Sequence, residues 1–277
     1  MTHVDEGSIH PREFRLRCRS GVFTGPTAGV CRAYVQANLV VLRESVAAEF
    51  EAFCRANPGP CPLLETLPTG SAAPARIASG ADLRTDLPRY RVLRFGECVE
   101  RPTSVESYWD EAAGDGKGAF RAFLIGCSFT FEDALLAAGV PVRHVEQRCN
   151  VPMYRTNIAC TSAGVFHGSL VVSMRPMTPS QAERAAGITA GLPGAHGPPV
   201  HLGDPSAIGV RDLSRPDYGD PVTVRPGEVP VFWACGVTPM EAILRAKLDL
   251  AITHDPGHMF VTDLRADELP KAFSVFA

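Results

Sequence analysis

The sequence predicts an α/β fold: a mixed sheet with flanking helices, arranged as two lobes. Three observations carry that prediction. Apolar segments of strand length alternate with segments of helical period along most of the chain. A strand, a small-residue turn bearing a cysteine, and a helix follow one another twice, at residues 123–139 and 231–247. The two segments align without gaps, Cys127 with Cys235, Thr130 with Thr238, Ala134 with Ala242, Leu136 with Leu244 and Ala138 with Ala246, as in an internal duplication. Finally, 277 residues at 45% apolar and 21% charged content suffice for a full hydrophobic core. The larger α/β lobe is expected to hold residues 1–115 and 200–277, and a smaller α+β lobe residues 116–199. The Gly-rich patch at 112–118 is the expected boundary.

Residues 11–19 read as a short helix, with proline early and Gly21 as the stop. The loop at 21–30, GVFTGPTAGV, is not a P-loop, because the Gly-Lys-Ser/Thr ending is missing. From 34 to 42, Tyr34, Gln36 and Asn38 alternate with Val35, Ala37, Leu39 and Val41, which predicts a strand with one polar face. Ser45 is placed to cap a helix with the stripe Val46, Phe50 and Phe53. NPGPCP at 57–62 ends it, since proline lacks the donor and keeps its predecessor out of helix. Residues 68–80 read as a mobile surface loop and 89–95 as a strand entering a Gly96-Glu97 turn. Strands at 153–160 and 169–174 precede a helix that starts at Thr178 or Ser180. A long turn with one short strand spans 193–205. Residues 230–234, 238–247 and 258–263 close the chain as strand, helix and strand.

Composition excludes several function classes. A net charge of −3 offers no basic face to nucleic acid. No apolar run reaches the ~18–20 residues of a membrane span, and the N-terminus lacks the apolar core of a secretory signal. Nine cysteines, an odd number without CxxC pairs, point to reduced thiols and a cytoplasmic setting. No GxGxxG or GxSxG stands between a strand and a helix.

The cysteine turns are the leading candidate site. Thr130-x-x-Asp133 and Thr238-x-x-Glu241 resemble capping boxes, with Pro239 at the first helical position. Cys127 and Cys235 would then sit above helix N-termini, where free backbone N–H groups favour an anion and depress a thiol pKa. A cysteine ending a buried strand is also a common apolar filler; the matched pair is what favours chemistry. Ser128, Thr130, Gly236 and Thr238 are candidate substrate contacts on the same turns. His254 follows the second helix much as His144 follows the first, and suits proton transfer. His196, His201, Asp204 and His258 are weak metal candidates, because their spacing matches no strong motif and Pro256-Gly257 separates His254 from His258. They leave open a divalent ion such as Mn²⁺, although no cofactor is required by the chemistry considered below. Arg84 and Arg155 are candidate carboxylate clamps, Arg155 because it interrupts an apolar strand.

Long segments of the chain resemble the D-glutamate cyclase-like family of hydro-lyases. They include GVFTGPTAG (21–29), NPGPCPLLE (57–65), DLRTDLPRYRV (82–92), FLIGCSFTFE (123–132), NVPMYRTNI (150–158), HGPPVHLGDP (196–205), PVFWACGVTP (230–239) and ITHDPGHM (252–259). Cys31-Arg32-Ala33 and Met240 depart from the pattern, Met240 standing where relatives commonly carry Gln. The resemblance implies a two-part α/β fold and the conversion of D-glutamate to 5-oxo-D-proline with loss of water. The expected partner is then a small dicarboxylic amino acid, and a homodimer is left open. Cyclisation needs a folded substrate, a neutral amine, a stabilised oxyanion and a proton for the departing water. Cys127, Cys235 and His254 are the residues expected to supply this chemistry. Two other readings remain. An amino-acid racemase uses one cysteine from each duplicated half as base and acid. A non-catalytic protein would only bind a small acid.

Overall fold

The computed structural model describes residues 6–114 and 118–276. The fold is mixed α/β, with eight helices and two antiparallel sheets among the described residues. The larger sheet is centred on β1 (Tyr34–Arg43). Along one edge β1 pairs with β5 (Phe120–Gly126), from Ala37↔Gly126 to Arg43↔Phe120, and β5 pairs in turn with β2 (Leu63–Thr66). Along its other edge β1 meets two strands in succession. Its first half pairs with β11 (Phe260–Arg265) and its second half with β10 (Ala251–His254). Outside β10 lie β3 (Tyr90–Arg94) and β4 (Glu97–Glu100). Residues 255–259 join β10 to β11 outside the sheet, so the edge of β1 carries no paired strand residue at Asn38 and Leu39. That opening positions the site.

The smaller sheet runs β6 (Met153–Ala159), β7 (Ser169–Met177), β9 (Val229–Ala234) and β8 (His201–Leu202). Both sheets contribute to one core, in which Met177, Val231 and Trp233 pack with Val35, Leu39, Leu64 and Phe131. The sequence units with cysteines fall one in each sheet. β5 of the larger sheet leads into α4 (Phe129–Ala137), and the chain passes through α5 (Arg143–Gln147) to β6 of the smaller. β9 of the smaller sheet leads into α7 (Val237–Ala246), and the chain returns to β10 of the larger. The two units thus share local order but exchange sheets in opposite directions. The chain changes sheets at the cysteine turns. Of the patch expected at 112–118, residues 112–114 end α3 (Glu106–Gly114) and residues 115–117 lie outside the described residues.

α1 (Pro11–Arg19) has Pro11 at its start, and α6 (Pro179–Ala190) has a full capping box between Thr178 and Gln181. Ser45 is not a cap: α2 (Glu44–Ala56) starts directly from β1, with Arg43 at its N-cap and no side-chain bond. The polar face of β1 is not solvated. Gln36 and Asn38 are buried, because Gln36 Nε2 donates to Thr27 O (2.9 Å) and Asn38 Nδ2 to Gly126 O (2.7 Å). The loop at 68–80 is pinned by the carboxylate of Glu65, which accepts from the N–H groups of Ala75, Arg76 and Ile77.

Candidate functional site between the cysteine turns

Each cysteine stands one residue before the N-cap of a helix. Ser128 (φ −64°, ψ −21°) and Gly236 (φ −64°, ψ −3°) already have helical dihedrals and stand at the N-caps of α4 and α7 without side-chain caps. Thr130 and Thr238 therefore lie inside the first turn rather than capping it, and Pro239 is the third helical residue, where its missing N–H is still without cost. The two threonines tie the helices to the sheets. Thr130 Oγ1 accepts from Gln36 N on β1 (3.4 Å), and Thr238 Oγ1 bonds Val171 N and O on β7 (3.0 and 3.2 Å). Both hydroxyls are engaged, and neither threonine lines the cleft described next.

The two cysteine turns face one small cleft of about 150 Å³. Cys127, Ser128, Cys235 and Gly236 line it, with Asn38 from the opening in β1 and His254 from the end of β10. The fit between turns is close. A Cβ on Gly236 would lie 2.5 Å from Asn38 Nδ2, the group that holds Gly126 O before Cys127. The imidazole of His254 fills the unpaired edge of β1: its Nδ1 lies 3.2 Å from Leu39 N and 3.3 Å from Leu39 O.

Burial dominates the electrostatics here. It pushes the Cys127 thiol up to about 12, against the lowering effect of the Phe129 N–H. It pushes Cys235 up to about 11, against the Val237 N–H. The helix N-termini therefore do not produce thiolates, contrary to the expectation from the sequence, because desolvation of the anion outweighs a single backbone donor. Burial also drives His254 and His196 down to about 4. His196 Nδ1–H donates to Gly59 O at 2.9 Å, which leaves its Nε2 as an acceptor. At neutral pH the cleft thus presents two neutral thiols and two neutral imidazoles.

Three charged groups complete it. Glu241, one turn into α7, is buried and lines the cleft beside Tyr218. The Tyr218 hydroxyl donates to its carboxylate, and Arg155 donates to it through Nε (3.1 Å) and Nη2 (2.8 Å). Arg155 also binds Asp217 (3.0 Å) and lies over the Tyr218 ring. Arg155 is therefore not an open carboxylate clamp; it stands behind Glu241. Arg175 on β7 lies below the cleft, fully buried between the rings of Phe131 and Trp233. It donates to Ser128 Oγ (3.3 Å), Ser173 Oγ (3.0 Å) and the Glu132 carboxylate. Burial alone would raise the Glu132 carboxyl, but Arg175 and His144 together hold it at about 2. Arg91 on β3 is the third, and it lines the cleft.

Other candidates lie elsewhere. Arg84 is closed on Asp82 (2.7–3.2 Å) and does not line the cleft. His201 Nε2 bonds the backbone of Asp204, whose carboxylate caps a short 3-10 turn through Ser206 N. His258 faces a larger groove of about 1220 Å³ that runs along α4 and α5 and shares Phe129, Pro256 and Gly257 with the cleft. Among the described residues, no three His, Cys, Asp or Glu side chains gather as a metal site would require. All nine cysteines are free. Among the described residues, no helix is long and apolar enough to cross a membrane. The sequence reading missed Asn38, Arg91, Arg175, Tyr218 and Glu241. Two polar residues alternating on β1 were the one available signal for any of them.

The model of the D-glutamate cyclase family matches residues 121–263, a span that contains both cysteine turns and His254. The chain belongs to the D-glutamate cyclase family. Curated relatives agree over nearly the full length. Proteins named "Putative hydro-lyase" from Rubrobacter xylanophilus and Stutzerimonas stutzeri are 55% and 52% identical. They cover 95% and 94% of this chain and 98% and 96% of their own. A Geobacillus kaustophilus protein of the same description is 53% identical over 93% of this chain and 95% of its own. Among solved structures, a nitrogen repressor-like protein from Methanococcus jannaschii aligns over 87% of this chain and 91% of its own. Its TM-score is 0.36 at 8% identity, too slight a likeness to inform the family's fold.

Proposed function

We propose that this enzyme is a hydro-lyase of the carbon–oxygen type that cyclises D-glutamate to 5-oxo-D-proline. Family membership supports the reaction class. The observation that carries the reading is the meeting of both cysteine turns, the open edge of β1 and His254 around one small cleft. Its volume suits a small molecule held in a folded conformation, so that amine and γ-carboxyl are brought together.

The chemistry follows from the neutral state of the walls. A γ-carboxylate placed between two neutral thiols is desolvated and favours its protonated form, the one that can lose oxygen. The thiols of Cys127 and Cys235, each held by a backbone N–H (of Phe129 and Val237), donate hydrogen bonds to its oxygens and to the developing oxyanion. The amine nitrogen attacks the γ-carbon, the C–N bond forms, and the C–O bond then breaks. One ammonium proton is the one that protonates the γ-carboxylate, the second leaves the nitrogen after the C–N bond forms, and both depart with the oxygen as water. Neutral His254 relays them, since desolvation lowers the substrate ammonium pKa as it lowers the imidazole pKa. A racemase would need one thiolate beside one thiol, which the raised pKa values disfavour. The free thiols accord with a cytoplasmic setting.

The test is NMR of the protein with D- and L-glutamate in D₂O, with and without Mn²⁺. Formation of 5-oxo-D-proline without deuterium at Cα supports cyclisation. Deuterium at Cα without lactam replaces it with racemisation. Ligand-dependent stabilisation without turnover replaces it with binding alone.

A further inference from the structure

We propose that Arg91 is the specificity residue of this cleft, binding the α-carboxylate that persists from substrate to product. This rests on the cyclisation reading for the identity of the acid, although an anion site at Arg91 is testable without turnover.

The argument is one of charge and partnership. Arg91 lies on β3 and pairs with Thr253 of β10, the residue before His254, and Arg91 and His254 both line the cleft. Its Nε is buried without a hydrogen-bond partner, and among the described residues its guanidinium has no carboxylate partner. Other arginines around the site are engaged. Arg155 is taken by Glu241 and Asp217, Arg175 by Glu132, and Arg89 and Arg101 face Asp255. The remaining ionisable groups lining the cleft are the two thiols, the two imidazoles, the Tyr218 hydroxyl and Glu241. Thiols and imidazoles are neutral at physiological pH, and Glu241 already has its counter-ion. Arg91 is thus the uncompensated charge of the cleft. A partly desolvated guanidinium without a partner is costly, and a planar carboxylate matches its fork.

The reaction decides which carboxylate that is. Cyclisation consumes the γ-carboxyl and leaves the α-carboxylate intact. A cation beside the γ-carboxyl would hold it ionised and oppose loss of its oxygen, whereas a cation on the α-carboxylate serves substrate and product alike. The ligand class is therefore a small acid with one permanent carboxylate and a second, reacting group about a glutamate chain away. The product 5-oxo-D-proline belongs to it and is expected to inhibit.

The experiment uses the full-length protein and calorimetric titration with 5-oxo-D-proline, glutarate and 2-pyrrolidinone, the last being the product ring without its carboxylate. Wild type, Arg91→Met, Arg91→Lys and the control Arg94→Met, which removes a half-exposed arginine of the same strand, are compared after circular dichroism confirms folding. The expected result is that wild type and Arg94→Met bind both acids better than the lactam. Arg91→Met loses at least tenfold for both acids and binds the lactam as before, and Arg91→Lys falls between. Should Arg91→Met fail to fold, the intermediate loss in Arg91→Lys carries the test. Turnover by the Arg91 variants should show raised KM with a smaller change in kcat. Acid affinity within twofold of wild type in the Arg91 variants, or no binding of either acid to wild type, overturns the proposal. Acid binding through Arg91 with no lactam formation from glutamate removes the cyclisation reading and leaves the anion site. Lactam formation with unchanged KM in Arg91→Met does the reverse.

Discussion

Replacing Gly236 with alanine tests how closely the two cysteine turns meet. Gly236 has an ordinary helical φ of −64°, so alanine suffers no backbone strain there. Its Cβ, however, would stand 2.5 Å from Asn38 Nδ2 and 2.9 Å from Asn38 Cγ and Oδ1. The amide must retreat by about 1 Å to reach normal contact. That movement breaks its bonds to Gly126 O (2.7 Å) and Ile125 O (3.2 Å). Two lost bonds at ~1 kcal/mol each, and a buried amide left unsatisfied, give roughly 2–4 kcal/mol of destabilisation. For a chain of this size that is a fall in Tm of roughly 5–10 °C. Differential scanning calorimetry of Gly236→Ala, Asn38→Ala and the double variant forms a cycle. Because both singles disturb the same two bonds, the double variant should be no less stable than Gly236→Ala alone. Additive losses, or a Gly236→Ala variant melting within a degree of wild type, would refute the claim that Asn38 is clamped between the turns.

Acid should weaken the fold before it protonates most carboxylates. His196 and His254 are held neutral at about 4, below the 6.5 of a free imidazole. Their contribution is complete above pH 6.5 and is lost as pH falls toward 4, roughly 3 kcal/mol each. Urea titrations at pH 7 and pH 4.5 should show this, and His196→Gln should flatten the dependence. Alkylation by iodoacetamide at pH 8, followed by mass spectrometry, should label the half-exposed Cys98, Cys149 and Cys160 well before Cys127 or Cys235. Rapid labelling of either cleft cysteine would contradict their neutral state. Arg175→Met should cost about 3–5 kcal/mol by leaving Glu132 buried beside His144 alone. Most of that loss should be recovered in the Arg175→Met, Glu132→Gln double variant; equal loss in both would show that packing, not charge, explains it.

The strand, cysteine turn and helix units were legible because each feature is local: apolar strand, small turn, helical period. Their convergence could be guessed from the repetition. What could not be read is partnership. Arg84, Arg155 and Arg91 look alike in the sequence, and only the fold shows that Asp82 takes the first, Glu241 takes the second and, among the described residues, no carboxylate takes the third. The capping boxes at Thr130 and Thr238 failed for a related reason. Their hydroxyls face strand backbones that arrive from Gln36 and Val171, residues remote in sequence, and those bonds outcompete the local cap. The short strand β10 was missed because four residues carry too little pattern to separate from a loop. The pairing of β9 with β7 and with β8 was hidden because register between distant segments is set by tertiary packing. Thiol acidity also turned on burial, which a helix N-terminus does not reveal.

The central claim is that substrate lies between the two cysteine turns, and a crystal structure with 5-oxo-D-proline addresses it most directly. Ligand density flanked by the sulfurs of Cys127 and Cys235, within reach of His254, is the predicted result. Density confined to the larger groove beside α4 and α5, with the cleft left unchanged, would contradict it.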